Sequence, residues 1–276
     1  MATRTPHPIV LIHGLWMTPR SWEHWKEHYE GKGHEVITPA WPGLEVEVES
    51  LRADPTPLKH LGFRHVADNY ERLIREMDRP PIIMGHSMGG AVTQILIDRG
   101  CGIAAVGVAP AQTRGVYDLP LSTIRACSKI VANPFNRSGA ASLGKKQFHY
   151  NFANTMSREE SDALWERYAV PAANRLFFDV ALANLSPHAP TKVDFSKPDR
   201  APYLAIAFEH DHVVPQKVVR RNSEKYKSGT VAFTTFPNRP HFPGAPGWEE
   251  VADYALDWAT EQANKRAGVE SESVAT

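Results

Sequence analysis

The segment Gly85-His86-Ser87-Met88-Gly89 sets a serine between two glycines, each two positions away. A serine hydroxyl is a weak nucleophile until a sharp backbone turn holds it out beside a base. Glycines on either side let strand and helix approach without Cβ clashes. The chemistry that fits is attack on a carbonyl carbon, which also requires a base, an acid to orient that base, and N–H donors for the oxyanion. The chain holds 13 histidines, so most are bystanders. His241, in Asn-Arg-Pro-His-Phe-Pro, follows the last strand-like run, from which a loop can return to Ser87. Asp211 follows Tyr-Leu-Ala-Ile-Ala-Phe-Glu-His and precedes Val-Val-Pro, at the strand end where a carboxylate can share a rim with Ser87. Glu209 is its nearest rival and points the other way if strand alternation persists; Asp194 and Asp199 are less well placed. The expected oxyanion donors are the backbone N–H of Met88, directly after the serine, and that of Leu15 in His13-Gly14-Leu15-Trp16.

These residues need a scaffold that brings distant loops to one edge. Short apolar runs near 8–12, 35–38, 81–85, 103–109, 202–208 and 230–236 read as strands, and helix-period segments lie between them. That alternation predicts an α/β fold with about six mostly parallel strands covered on both faces. Segment 60–78 places Val66, Tyr70, Leu73, Ile74 and Met77 on one stripe. Segment 88–99 carries Ala91, Val92, Ile95 and Leu96 on one face, and 248–263 carries Val251, Tyr254, Ala255, Trp258 and Ala259. Pro215 begins another helix, where a missing N–H costs little. A plain glycine-rich turn is the competing reading of 85–89; the strand before it and the helix after it favour the nucleophile.

The rhythm breaks between about 113 and 198, where there are no clear strands but several amphipathic helices. One of them, 157–168, opens on Ser157 and Glu160 spaced as a capping box. Trp165, Tyr168, Phe177, Phe178 and Leu182 make this segment rich in large apolar side chains. It reads as a helical lid over a pocket, with an ordinary run of helices packed on the core as the alternative. The expected organisation is a core of 1–112 and 199–265, a lid of 113–198 and a flexible tail of 266–276. The proline-rich stretch 39–58 reads as a surface loop, despite its alternating Glu45-Val46-Glu47-Val48-Glu49.

Lysine plus arginine and aspartate plus glutamate balance at 31 each in 276 residues, which gives no electrostatic case for a nucleic-acid or anionic-membrane partner. Cys101 and Cys127 form no disulfide framework and read as packing residues or inert surface. No run of about 18 apolar residues suggests a membrane span, and no signal peptide is evident, so a cytoplasmic location is expected. His210-Asp211-His212 resembles a metal site only superficially, because successive strand residues face opposite ways. Gly85–Gly90 lacks the residues of a phosphate loop. No metal or cofactor is expected. His13 is read as a support of the oxyanion loop. Trp16, His86, His149 and Phe177 are assigned to the substrate pocket, with His188 a further candidate for substrate contact.

The order Ser87, Asp211, His241, together with His-Gly-Leu-Trp at 13–16, Gly-His-Ser-Met-Gly-Gly at 85–90, Glu-His-Asp-His-Val-Val-Pro at 209–215 and Pro-His-Phe at 240–242, resembles the α/β-hydrolase superfamily over essentially 8–260. It is most similar to the lid-bearing esterase, lactonase and peroxidase-like branches. Aspartate occupies the elbow in the dehalogenase and epoxide hydrolase branches, so serine here argues against those activities. The resemblance implies a serine hydrolase for a small or medium apolar carboxylic ester or lactone. A carbon–carbon bond hydrolase, a cofactor-free haloperoxidase and a non-catalytic binder of a small hydrophobic ligand stay open beside it.

Overall fold

Uninterrupted apolar runs build the sheet. In the computed structural model, which describes residues 6–133 and 135–268, β1 (Ile9–Ile12), β2 (Val36–Ile37), β3 (Ile82–His86) and β4 (Ala104–Val108) precede β5 (Ala140–Ala141), β6 (Ala172–Ala173), β7 (Tyr203–Phe208) and β8 (Val231–Phe236). Six of them form one sheet in the order β2-β1-β3-β4-β7-β8, with every adjacent pair parallel. β5 and β6 make a separate antiparallel pair. Two residues each are too few to leave a periodic signal, which is why 113–198 read as strandless.

The helices are α1 (Glu23–Gly31), α2 (Val48–Ala53), α3 (Phe63–Arg75), α4 (Met88–Asp98), α5 (Leu121–Ala126), α6 (Ser128–Val131), α7 (Lys145–Phe152), α8 (Arg158–Tyr168), α9 (Asn174–Ala181), α10 (Gln216–Ser223) and α11 (Trp248–Arg266). Side-chain alternation along β1 splits the core. Ile9 and Leu11 pack with Trp25 and Tyr29 of α1 and Val251, Ala255 and Leu256 of α11. Val10 and Ile12 pack with Val66, Tyr70 and Ile74 of α3 and Ala91, Val92 and Ile95 of α4. Ala105 and Ala205 meet Val218 and Val219 of α10 on that second side. A strand buried on both faces has no polar alternation to keep, and each large side chain so buried contributes about 1.5–3 kcal/mol.

The helix boundaries have local causes. The first N–H of α3, from Phe63, donates to Asp179 Oδ2 at 2.9 Å. Ser157 and Glu160 close the expected capping box at the start of α8. Pro215 is the cap residue before α10 rather than its first member. α4 is buried on every side from Met88 to Ile97, not on one face. In α11 the buried stripe is Val251, Ala252, Ala255, Leu256 and Ala259, while Tyr254 is exposed.

Stretch 39–58 is not a surface loop. It contains α2 and a 3-10 turn at Thr56–Leu58, and it buries Trp41, Leu44, Val48 and Leu51. Trp41 and Leu44 are buried ahead of the helix, while Val48 and Leu51 face inward from α2, whose six residues are too few for its period to stand out among the glutamates and prolines. At the other end of the chain, α11 runs through Arg266, and most of the segment expected as a tail, positions 269–276, lies outside the described residues.

The crossing of α4 beneath β1 is very close. A Cβ on Gly89 would lie 2.2 Å from the Ile12 carbonyl oxygen, a backbone atom that cannot swing aside. Gly89→Ala will therefore destabilise the fold by about 3 kcal/mol, through the overpacking it forces. A lowered denaturant midpoint with unchanged slope checks this; an unmoved midpoint contradicts it.

Candidate active site

Ser87 follows β3 directly and caps α4 at φ 53° and ψ −118°, a conformation that non-glycine residues rarely adopt. Such strain costs about 1–3 kcal/mol and persists only where the surroundings over-determine it. Here the Ser87 N–H donates to Val108 O at 3.0 Å, and the Ser87 carbonyl accepts from the N–H groups of Ala111 at 2.8 Å and Gly90 at 2.9 Å. The turn is fastened to the end of β4 on both sides, and the hydroxyl is held off the sheet edge.

Parallel strands end on one edge, so the loops after β1, β3, β7 and β8 share a rim. Asp211 and His241 come from the last two. His241 Nε2 lies 3.0 Å from Ser87 Oγ, and His241 Nδ1 lies 2.5 Å from Asp211 Oδ2. The other carboxylate oxygen accepts the backbone N–H groups of Val213 at 2.7 Å and Val214 at 2.8 Å. With both oxygens engaged, the carboxylate cannot rotate. It accepts the Nδ1 proton, which leaves the Nε2 lone pair for the serine proton. All three side chains are buried. Glu209, the rival acid, is exposed and accepts the Asn238 N–H; Asp194 accepts from Ser196 on another part of the surface.

The loop after β1 passes directly over the serine: a Cβ on Gly14 would sit 2.9 Å from Ser87 Cβ. Its shape is held from two sides. His13 Nδ1 donates to Gly14 O at 3.0 Å, its Nε2 accepts the Trp41 N–H at 3.3 Å, and its ring stacks on Trp41 at 4.4 Å. Burial pushes the His13 pKa down to about 4, so the ring stays neutral and supports the loop. Trp16 takes a positive φ of 62° and is bolted to the 113–198 segment. Its carbonyl accepts the Val170 N–H at 3.0 Å, and its indole N–H donates to Ala141 O at 3.1 Å. Met88 is the first residue of α4, where an N–H has no acceptor within the helix.

Ser87 opens onto a narrow cavity of about 50 Å³. Leu15, Trp16, Met88, Phe177, Val180 and Val214 line it, and among the described residues no lysine, arginine, histidine, aspartate or glutamate does. Its few other polar side chains are largely engaged or inert. Thr123 donates to Val213 O at 2.8 Å and Gln112 to Asp118 O at 3.2 Å. Burial pushes the Cys127 thiol up to about 12. Of the pocket residues read from sequence, Trp16 and Phe177 are on this wall, whereas His86 and His149 are not.

Two geometric reasons explain the misplacements. Along β3, His86 follows Met84 to the α1 side of the sheet, where it meets Trp22 edge-on at 6.2 Å. On α7, Phe148 and Phe152 turn inward, and the Phe152 ring rests 5.2 Å from that of His241. His149, one residue past Phe148, is rotated about 100° away from that face. His188 sits in a separate exposed cleft with His60 and His65. Sequence reading missed Ala111, Gln112, Leu119, Thr123, Cys127, Val180, Ala181, Val213 and Val214 as cavity residues. Of these, only Val213 and Val214 carried a signal, since backbone N–H groups two and three residues after an aspartate often turn back to its carboxylate.

A six-stranded parallel sheet with serine at a strained strand-to-helix turn defines an α/β-hydrolase architecture, and a model of the Alpha/beta hydrolase family matches residues 9–254. The chain belongs to that family. No curated protein matches it significantly by sequence. Among solved structures, an extracellular α/β-hydrolase from a Paenibacillus species, described as sharing structural and functional homology with tobacco salicylic acid binding protein 2, is 19% identical, with 92% of this chain and 99% of that one covered at a TM-score of 0.67. A monoacylglycerol lipase of Paleococcus ferrophilus is 18% identical over 93% and 96% of the two chains, with a TM-score of 0.64. A pyrethroid hydrolase from Sphingobium faniae is 18% identical over 92% and 97%, with a TM-score of 0.65. At these identities the likeness is one of fold.

Proposed function

We propose that the protein is a serine hydrolase that cleaves small to medium, neutral, apolar carboxylic esters or lactones through an acyl-enzyme. The observation that carries this is the unbroken row from Asp211 through His241 to Ser87, at 2.5 and 3.0 Å, opening onto an apolar cavity. His241 Nε2 takes the hydroxyl proton as Ser87 Oγ attacks the carbonyl carbon, and Asp211 stabilises the resulting imidazolium. The N–H groups of Leu15 and Met88 bind the oxyanion, and His241 returns the proton to the leaving group. Water, activated by the same imidazole, then releases the acyl group.

The cavity wall sets the substrate class. With no ionised side chain to offset desolvation, a charged acyl group is disfavoured there. We assign residues 113–198 the role of a lid, because they supply Leu119, Thr123, Cys127, Phe177, Val180 and Ala181 to the wall. The space is far below the ~300 Å³ at which ordinary small-molecule sites begin, so anything larger than a short acyl chain needs the lid to shift. The lipase and pyrethroid hydrolase among the structural neighbours support a hydrolytic reading.

A fluorophosphonate probe tests the nucleophile: wild type labels and Ser87→Ala does not. Unlabelled, folded wild type would favour a binder instead. A panel of p-nitrophenyl esters, lactones and a carbon–carbon bond substrate then separates the enzyme classes. Within the ester series, Ala181→Phe will fill the cavity and shift selectivity toward acetate over butyrate by about tenfold or more, since one or two methylenes in a tight pocket are worth at least that much. An unchanged ratio would remove Ala181 from the acyl site.

A further inference from the structure

Among the described residues, the buried histidines are His13, His86 and His241. The first supports the loop over the serine and the third faces its hydroxyl, which leaves His86 without a use. Its Nε2 lies 2.8 Å from the main-chain carbonyl oxygen of His241. A carbonyl only accepts, so Nε2 carries the proton and donates it. The other nitrogen, Nδ1, is buried with no hydrogen-bond partner, close to the Gly14 turn. A phenyl ring would fill this space without the orphaned Nδ1, so packing alone does not account for an imidazole here. The bond to His241 does.

His241 sits in an irregular segment after β8, outside any ladder. Its main chain is tied from two directions. The Phe242 N–H donates to Phe152 O at 3.1 Å, and the His241 carbonyl accepts from His86. The second tie runs to His86, the last residue of β3, directly before Ser87. The last residue of a rigid strand thus grips the backbone of the base, and the next residue, at the turn, presents the nucleophile. Resting on the serine-hydrolase reading above, we propose that His86 is a positioning residue that fixes the approach of His241 Nε2 to Ser87 Oγ.

The groups around the His241 imidazole are the Asp211 carboxylate, the Ser87 hydroxyl, the Phe152 ring and the His86 ring at 4.6 Å, with His13 beyond. Burial, and next the neighbouring His241, hold the His86 pKa well below the usual histidine range. His86 therefore stays neutral while His241 carries the proton, and its N–H bond survives the catalytic cycle.

His86→Phe keeps a ring and removes the donor; His86→Gln returns an N–H near the Nε2 position. Turnover of p-nitrophenyl acetate is measured per site titrated with the fluorophosphonate, alongside Tm and the NMR resonance of the His241 Nδ1 proton shared with Asp211. In His86→Phe, kcat should fall about 10²-fold with KM within about threefold, as a small misplacement of a catalytic group costs. The Nδ1 resonance should broaden or move upfield. His86→Gln should recover at least about tenfold in kcat and restore the resonance. Should His86→Phe fail to fold, His86→Asn, too short to reach the carbonyl, takes its place. Full turnover per titrated site with an unmoved resonance overturns the proposal, as does equal loss in both variants tracking Tm alone. If wild type does not react with the phosphonate, the hydrolase reading fails, while the resonance still reports whether His86 holds His241.

Discussion

Ser87→Ala will lower turnover of p-nitrophenyl acetate by about 10⁴–10⁶ and abolish labelling by fluorophosphonate, with the fold intact. The fold should survive because the strained turn is held by backbone bonds to Val108 and Ala111, none of which involves the hydroxyl. Alanine tolerates φ 53° no better than serine, so it neither relieves nor adds backbone strain. What disappears is the oxygen that lies 3.0 Å from His241 Nε2 and faces the cavity. Residual rate would come from the Leu15 and Met88 N–H groups polarising a bound ester toward water, which is why the loss stops short of the uncatalysed reaction. A variant retaining more than a tenth of wild-type turnover would remove Ser87 as the nucleophile.

The sheet was legible because its central strands are buried on both faces. Ile9–Ile12, Ile82–His86 and Tyr203–Phe208 leave apolar runs that no amphipathic helix would show. The rim followed from parallel strands alone, and the structure does bring Ser87, His241 and Asp211 within hydrogen-bonding reach of one another. Legibility failed where tertiary packing decides. His86 and Ser87 are neighbours in sequence, yet His86 is the last strand residue, facing Trp22, while Ser87 at the positive-φ turn opens onto the cavity. His149 and Phe148 are likewise adjacent, and helix rotation separates their surroundings. The cavity wall draws on positions between 112 and 214 whose shared surface exists only after the 113–198 segment docks on Trp16. Trp16 itself carries that docking through its carbonyl and indole, a double tie that no local pattern announces.

Asp211→Asn will lower kcat/KM by about 10⁴ near neutral pH, and the reason lies in how tightly the carboxylate is gripped. Oδ1 accepts from the Val213 and Val214 N–H groups, so an asparagine would place its carbonyl there and its NH₂ toward His241. An NH₂ group donates. It would force Nδ1 to accept and move the imidazole proton to Nε2, facing the serine. The base would then hold a proton where it needs a lone pair, with the side chains still in place. Thermal stability close to wild type and an unchanged KM would separate this tautomer reversal from unfolding. Glu209→Gln is the matching control, because Glu209 is exposed, accepts the Asn238 N–H and otherwise lies 3.9 Å from the exposed His210 ring; it should leave kcat/KM within about twofold, as surface changes do. If Asp211→Asn stayed within tenfold of wild type while Glu209→Gln lost activity, the orienting acid would be Glu209, and the loop after β7 would have to rearrange to deliver it.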